Sequence, residues 1–395
     1  MFSDRVPGDL TPNRLTGAVA RVRASGRAIV DLTLSNPTRA GLAYPAGLLA
    51  PLGGDEGLEY APQPLGASAA RRAVACEYRR RGFDVPVEHV ALTASTSEAY
   101  GLLFKLLTNA GDEVLVPRPS YPLFDHLTRL ELVVARPYDL EYHGRWSIDH
   151  ASIERAWTPR TRAVLVVSPN NPTGSFITPD DLERLATLCA DREAALIADE
   201  VFADYELEPG AAARAGRVPD VRRALTFSLG GLSKSVGLPQ VKLGWIAVGG
   251  PAEFVADAMR RLELVCDTYL SVSTPVQAAA PALLRDGAAL RAQIQSRISA
   301  NWRGLHQMTS ASPACRVLHA EGGWFAVVQV PRFESEDDLV VDLLESDGVL
   351  VHPGYFFDFP RESHLVMSLL PQEAAFADGV ERILRRFAGR REPLS

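Results

Sequence analysis

The residue best placed for covalent chemistry is Lys234. It lies at the centre of Ser228–Trp245, SLGGLSKSVGLPQVKLGW, between Ser233 and Ser235, after the apolar run Ala224–Phe227 and before Lys242 and Gly244. Small neighbours at a strand exit constrain a lysine, and a desolvated amine with a lowered pKa can attack a carbonyl to form a Schiff base. A solvated lysine in a glycine-rich turn would carry the same local sequence. Three other catalytic templates fail. A phosphate-binding loop needs Gly where Ser233 stands, a nucleophile elbow needs Gly where Ser235 stands, and an S-x-x-K motif needs Ser where Gly231 stands.

Lys234 has polar company elsewhere in the chain. Asp199 directly follows Ala194–Ala198, and SPNNPTG, which carries Asn171, follows Ala163–Val167. Upstream, TASTSEAYGLLFKLL places Ser95, Thr96 and Ser97 at a helix start, with Ser95 and Glu98 in capping-box spacing. Hydroxyls and free N–H groups at such a start attract an anion, with the helix dipole adding to the pull. A capped helix serving structure alone has the same signature. Three polar groups at consecutive strand exits, with this helix start, point to one shared site.

The elements that must position these groups are short apolar runs alternating with helical patterns between Val114 and Gly250. Strands are predicted at Val114–Val116, Leu132–Ala135, Ala163–Val167, Ala194–Ala198, Ala224–Phe227 and Leu243–Val248, with a helix capped by Thr178 among them. Unbroken apolarity predicts strands buried on both faces, hence a mainly parallel α/β sheet with ligands at its carboxyl edge. Residues 1–49 read as an arm and loops around one strand, Ala28–Leu34, which ends in SNPTR (Ser35–Arg39). After about Arg285 a long helix, an alternating strand EGGWFAVVQV, and the strands VLVHPG and HLVMSLL give an α+β pattern. The expected division is a large domain over residues 50–285, and a smaller α+β domain built from 286–395 with the N-terminal arm, 1–49.

The bulk composition narrows the class. The chain has 395 residues, 47% hydrophobic and 23% charged, with a net charge of -7. This is an ordinary globular balance, and mild acidity argues against nucleic acid or an anionic membrane as partner. Cys76, Cys189, Cys266 and Cys315 form no C-x-x-C pair, and the histidines form no H-E-x-x-H, so no metal is expected. The charged N-terminus lacks a signal core and no run approaches membrane-spanning length, so the cytoplasm is expected.

The ordered set STSEA, PSYP, NNPTG, Asp199–Phe202 (DEVF), S-K and K-L-G resembles the class I/II, fold-type I aminotransferases, which use pyridoxal 5′-phosphate. The likeness covers nearly the whole chain, and HLVMSLLPQ is most similar to the alanine-aminotransferase branch. It implies a homodimer of two-domain subunits, a seven-stranded type of large sheet, and transfer of an amino group from an amino acid or amine to a 2-oxo acid by a ping-pong mechanism. By position, Lys234 would hold the cofactor covalently and carry the proton, and Asp199 would pair with its ring nitrogen and stay ionised because the opposite charge outweighs desolvation. Asn171 would bond the ring oxygen and Tyr121 would stack on the ring. Ser95, Thr96, Ser97, Ser233 and Lys242 would surround the phosphate, with Tyr60 reaching in from the other subunit. Ser35, Asn36, Arg39 and Asn171 would border the substrate.

Three positions depart from the family pattern: Phe202 replaces a tyrosine, Lys242 an arginine, and Val366 the arginine that grips the substrate carboxylate. Val366 cannot pair with a carboxylate, so either Arg39 takes that role or the substrate lacks the group. The same gap keeps open a lyase or decarboxylase on this fold. A non-catalytic cofactor sensor is the remaining alternative, and it lacks the DNA-binding extension that such sensors carry.

Overall fold

The computed structural model describes residues 1–361 and 363–388. In chain order its strands are β1 (Val30–Asp31), β2 (Val90–Thr93), β3 (Glu113–Arg118), β4 (Val134–Tyr142), β5 (Trp146–Ile148), β6 (Thr161–Val167), β7 (Ala195–Asp199), β8 (Thr226–Gly231), β9 (Gly244–Gly249), β10 (Arg316–Val317), β11 (Phe325–Gln329), β12 (Val349–Leu350), β13 (His352–Pro353) and β14 (His364–Ser368).

The large sheet runs β2-β9-β8-β7-β6-β3-β4-β5. The pairs β3–β4, β3–β6, β6–β7 and β7–β8 are parallel, while β2–β9, β8–β9 and β4–β5 are antiparallel. It has eight strands rather than seven, because β4 turns back into the short edge strand β5. Helices cover both faces. On one, Leu102, Leu103 and Phe104 of the helix Thr96–Leu107 and Leu262 and Cys266 of Ala252–Tyr269 pack with Leu165 and Ile197. On the other, Leu182, Leu185 and Cys189 of the helix Pro179–Asp191 pack with Val164 and Leu196. That stripe and its Thr178 cap, which accepts from Asp181 N–H, are as the spacing predicts. The two-sided cover is why the strands read as unbroken apolar runs.

The smaller sheet, β10-β11-β14-β13, is antiparallel, and β1 pairs with β12 in parallel. Its core gathers Leu15, Ala18 and Val22 of the helix Arg14–Ala24 with Leu339, Val340 and Leu343 of Glu336–Asp347 and Val380 and Ile383 of the last helix. The early chain therefore packs with the end of the chain. The long stretch after Arg285 forms the helix Ala288–Ser310.

Several boundaries moved. Leu132, expected to begin a strand, has φ 61° in a turn that precedes β4. Among the described residues, strand register within Ala28–Leu34 is confined to Val30 and Asp31, with Leu32 adding hydrogen bonds to Leu350 O and from Ser368 N–H. β8 continues four residues past Phe227, because Ser228–Gly231 pairs with Gly244–Ala247 of β9. No helix among the described residues is long and apolar enough to cross a membrane.

Candidate active site

The carboxyl ends of β6, β7 and β8 open into a cavity of about 160 Å³ lined by Ser35, Thr96, Ser97, Tyr121, Asn171, Asp199, Phe202, Ser233 and Lys234, together with apolar groups that include Val201, Leu243 and Phe325. Nine of the expected site residues thus share one space.

Lys234 sits in a single helical turn, Leu232–Ser235, that follows β8 directly, not in an open loop. Tyr205 donates its hydroxyl to the Lys234 carbonyl at 2.6 Å, Ser235 Oγ donates to Gly231 O at 3.0 Å, and Arg291 Nε donates to Ser235 O at 3.0 Å. The turn is therefore held by its own Ser235 and, from outside, by Tyr205 and Arg291. Lys234 Nζ lies 5.5 Å from the Phe202 ring centre and 5.1 Å from that of Trp324. Aromatic faces attract the ammonium, yet burial among them dominates and lowers its pKa to about 8, with Asp199 acting in the opposite sense.

Asp199 is the last residue of β7. Its Oδ1 accepts from Val201 N–H at 3.1 Å and its Oδ2 from the Tyr100 hydroxyl at 2.9 Å. Desolvation raises its pKa to about 6, against the lowering effect of those two bonds and of Lys234. The expectation that opposite charge keeps Asp199 ionised refers to the site with its cofactor, whereas this direction belongs to the chain alone. Among the chain's own groups the cation is a minor influence on Asp199, and the partner invoked for that expectation, a protonated ring nitrogen, is not part of the chain.

The SPNNPTG turn separates two adjacent asparagines by role. Asn170 is structural: its Nδ2 donates to Pro119 O and Thr173 Oγ1, and its Oδ1 accepts from Ser120 Oγ. That last bond also ties down the loop bearing Tyr121. Asn171 faces the cavity, and its buried Oδ1 has no hydrogen-bond partner among the described residues. Gly174, at φ 72°, lets the turn lie against Ala320 and Gly322, which a Cβ would meet at 2.6 Å.

At the start of the helix Thr96–Leu107, Ser95 Oγ accepts from Glu98 N–H. The Glu98 carboxylate reaches Ala94 N–H rather than that of Ser95, so the reciprocal half of the expected box is displaced by one residue. Thr96 and Ser97 have no acceptor one helical turn back for their N–H groups, and both line the cavity. Gly244 makes room for this approach: a Cβ there would stand 2.9 Å from the Ser95 carbonyl carbon and 3.1 Å from Thr96 N.

Six expected residues lie outside the cavity lining. Ser95 spends its hydroxyl on the cap. Lys242 is exposed, with φ 61°, immediately before the lining residue Leu243. Tyr60 is 77% exposed on a separate surface cleft with Tyr269 and Gln277. Asn36 caps the turn Pro37–Arg39 and is exposed. Arg39 is exposed, and its guanidinium makes no ion pair among the described residues. Val366 is fully buried in β14 between Val327 and His352, on the sheet face from which Phe325 reaches the cavity. Conversely, Tyr100, Tyr205 and Trp324 were not anticipated. Tyr100 alone had a usable signal, as a polar-tipped ring one turn after Thr96 and Ser97 on the same helix face.

These residues fit pyridoxal phosphate. Helix-start N–H groups suit its phosphate, an amine with lowered pKa suits its aldehyde, a carboxylate suits its ring nitrogen, and the side-chain amide of Asn171, which lines the cavity, has N–H donors of the kind its ring oxygen accepts from.

Comparison with known proteins agrees with this chemistry. The family profile described as "Aminotransferase class I and II" matches residues 54–381. An alanine aminotransferase of Mycobacterium bovis is 27% identical over 92% of this chain and 86% of its own length. The glutamate-pyruvate aminotransferase AlaA of Escherichia coli is also 27% identical, over 93% of this chain and 91% of its own. A solved aspartate aminotransferase double mutant of Thermus thermophilus superposes with a TM-score of 0.81 at 26% identity, covering 98% of this chain and 99% of its own. A cavity of this composition, in a chain matched over most of its length, makes the protein a member of the pyridoxal-phosphate-dependent class I and II aminotransferases.

Proposed function

We propose that this protein works as a cytoplasmic homodimer, moving an amino group from an amino acid or amine to a 2-oxo acid in two half-reactions. The observation that carries the reading is the single cavity that joins Lys234, Asp199, Asn171 and the start of the helix Thr96–Leu107. Pyridoxal phosphate supplies the electron sink for the carbanion at the amino-bearing carbon.

The chain's residues divide the remaining work. Lys234 is the nucleophile and then the proton carrier, a role that suits an amine whose pKa burial has brought to about 8. Asp199 holds the ring nitrogen, Asn171 the ring oxygen, and Tyr121 covers one ring face. Thr96, Ser97 and Ser233 hold the phosphate, with Lys242 adding positive charge from the rim. Tyr60, exposed here and outside the lining of its own cavity, belongs to the site of the partner subunit. Phe202, Phe325 and Trp324 form an aromatic wall, with Phe202 and Trp324 beside the amine, which would limit water at the reacting carbon. Ser35 and Asn36 border the substrate, and Arg39, whose guanidinium makes no ion pair among the described residues, supplies the cation that Val366 does not.

The test is to add amino donors to the purified holoenzyme. Transamination gives a lasting change in cofactor absorbance together with one equivalent of oxo product, and a 2-oxo acid then reverses the change. Repeated release of product without the lasting change would instead identify a lyase or decarboxylase. A spectral change without any product would identify a sensor.

A further inference from the structure

We propose that Tyr100 is a positioning residue for the cofactor's ring nitrogen, acting through Asp199. The inference rests on the reading of Asp199 given above. Asp199 receives one hydrogen bond at each oxygen, from Val201 N–H to Oδ1 and from Tyr100 O–H to Oδ2. The first comes from the same strand end and cannot fix the carboxylate's rotation alone. The second comes from the helix Thr96–Leu107, whose first turn lines the phosphate end of the cavity. One rigid helix therefore sets the phosphate grip at its start and the carboxylate's orientation one turn later.

The phenol is itself well fixed. Tyr100 is buried, with its ring 5.5 Å from Phe124 in an edge contact and 6.1 Å from Phe104. Burial and the neighbouring carboxylate raise its pKa well above the ordinary value, so it remains a donor at any working pH. The other ionisable groups acting on Asp199 are Lys234, which favours its charge, and Glu200, which opposes it; Tyr121 is the remaining phenol in its field. Besides Lys234, Tyr100 is the side chain that favours a charged Asp199 from an element other than β7. A donor lost at a buried carboxylate leaves an acceptor unpaired and favours the neutral acid. A neutral acid holds a protonated ring nitrogen poorly.

The experiment compares dissociation constants of pyridoxal phosphate and of its 1-deaza analogue, in which the ring nitrogen is replaced by C–H. Both are measured by absorbance titration on the wild-type, Tyr100→Phe and Asp199→Asn proteins. Phenylalanine keeps the ring packing, and thermal unfolding of each variant checks that it is folded. Tyr100→Phe is expected to weaken pyridoxal phosphate roughly tenfold, the effect of one bond to a charged group, and the deaza analogue less than about twofold. Equal weakening of both ligands, or of neither, would overturn the proposal. If Asp199→Asn separates the two ligands while Tyr100→Phe does not, only the role of Tyr100 falls. If Asp199→Asn also treats them alike, the reading of Asp199 falls with it.

Discussion

The hydroxyl of Tyr205 reaches under the turn that carries Lys234 and donates to its main-chain carbonyl at 2.6 Å, with a second contact of 3.2 Å to Ser235 O. Tyr205 is fully buried and packs edge-on against Trp324. Tyr205→Phe would keep that packing and remove one donor from two carbonyls that each keep another, Gly237 N–H at the Lys234 oxygen and Arg291 Nε at the Ser235 oxygen. It is expected to destabilise the protein by about 0.5–1.5 kcal/mol in urea unfolding. It should also lower kcat, because the amine is no longer held in register. An unchanged unfolding midpoint would show that the bond contributes nothing.

Lys234→Ala should abolish the adduct that borohydride traps between protein and cofactor, and turnover should fall by several orders of magnitude. Mass spectrometry of the reduced protein reads the first directly. A trapped adduct on a different lysine would remove Lys234 from its assigned place.

The raised pKa of Asp199, about 6 against an ordinary 3.8, fixes the sign of a pH effect on the cofactor-free protein. Between about pH 4 and 6 the folded state binds a proton that the unfolded state does not, so this stabilisation is full below about 4 and lost as pH rises through 6. Asparagine is neutral throughout. Unfolding free energies of Asp199→Asn relative to wild type should therefore shift in favour of the variant by about 1–3 kcal/mol between pH 4 and 7. A difference that stays flat or moves the other way would contradict the desolvated carboxylate.

Gly244→Ala would press a methyl group on the peptide between Ser95 and Thr96, where the contact is with backbone that has no flexible end to swing away. The start of the helix Thr96–Leu107 must then shift, and with it the N–H groups available to an anion. The ratio of affinities for pyridoxal phosphate and unphosphorylated pyridoxal should fall roughly tenfold, in line with the size of helix-terminus effects on anions. Equal losses for both ligands would place the damage elsewhere.

Arg39→Ala should leave stability within about 0.5 kcal/mol, as expected for an exposed side chain. If Arg39 holds the substrate carboxylate, kcat/KM for amino-acid donors should fall by about 1.5–3 kcal/mol while simple amines are unaffected. Equal losses for both donor classes would exclude it and point to a substrate without that carboxylate.

The sequence made the reacting end of this site legible because strand exits leave a strong mark. An apolar run that stops at Asp199, or just before SPNNPTG, betrays both the strand and the polar group at its edge. The end of β8 was harder to see, since Ser228–Gly231 offers one apolar residue, Leu229, and its last two residues, Gly230 and Gly231, are strand through their pairing with β9. Lys234 consequently lies on a helical turn where a loop was expected. The aromatic wall was invisible for a different reason. Phe202, Trp324 and Phe325 meet across more than a hundred residues of chain, and an aromatic residue in a buried strand announces packing without naming its neighbour. The same holds for Arg39 and Val366, whose distances from the reacting groups depend on tertiary placement and not on local pattern.

The pairing of β1 with β12 joins Val30 to Val349 and Asp31 to Leu350. A ribosome delivers the first of these partners some three hundred residues before the second. All eight strands of the large sheet lie between Val90 and Gly249 and can assemble while the last third of the chain is still being made. Throughout that interval the helix Arg14–Ala24 has its apolar face, Leu15, Ala18 and Val22, without the surface that later covers it. The nascent chain thus carries this uncovered apolar segment until Glu336–Asp347 and the last helix have followed it, and that segment is where a chaperone would be expected to bind.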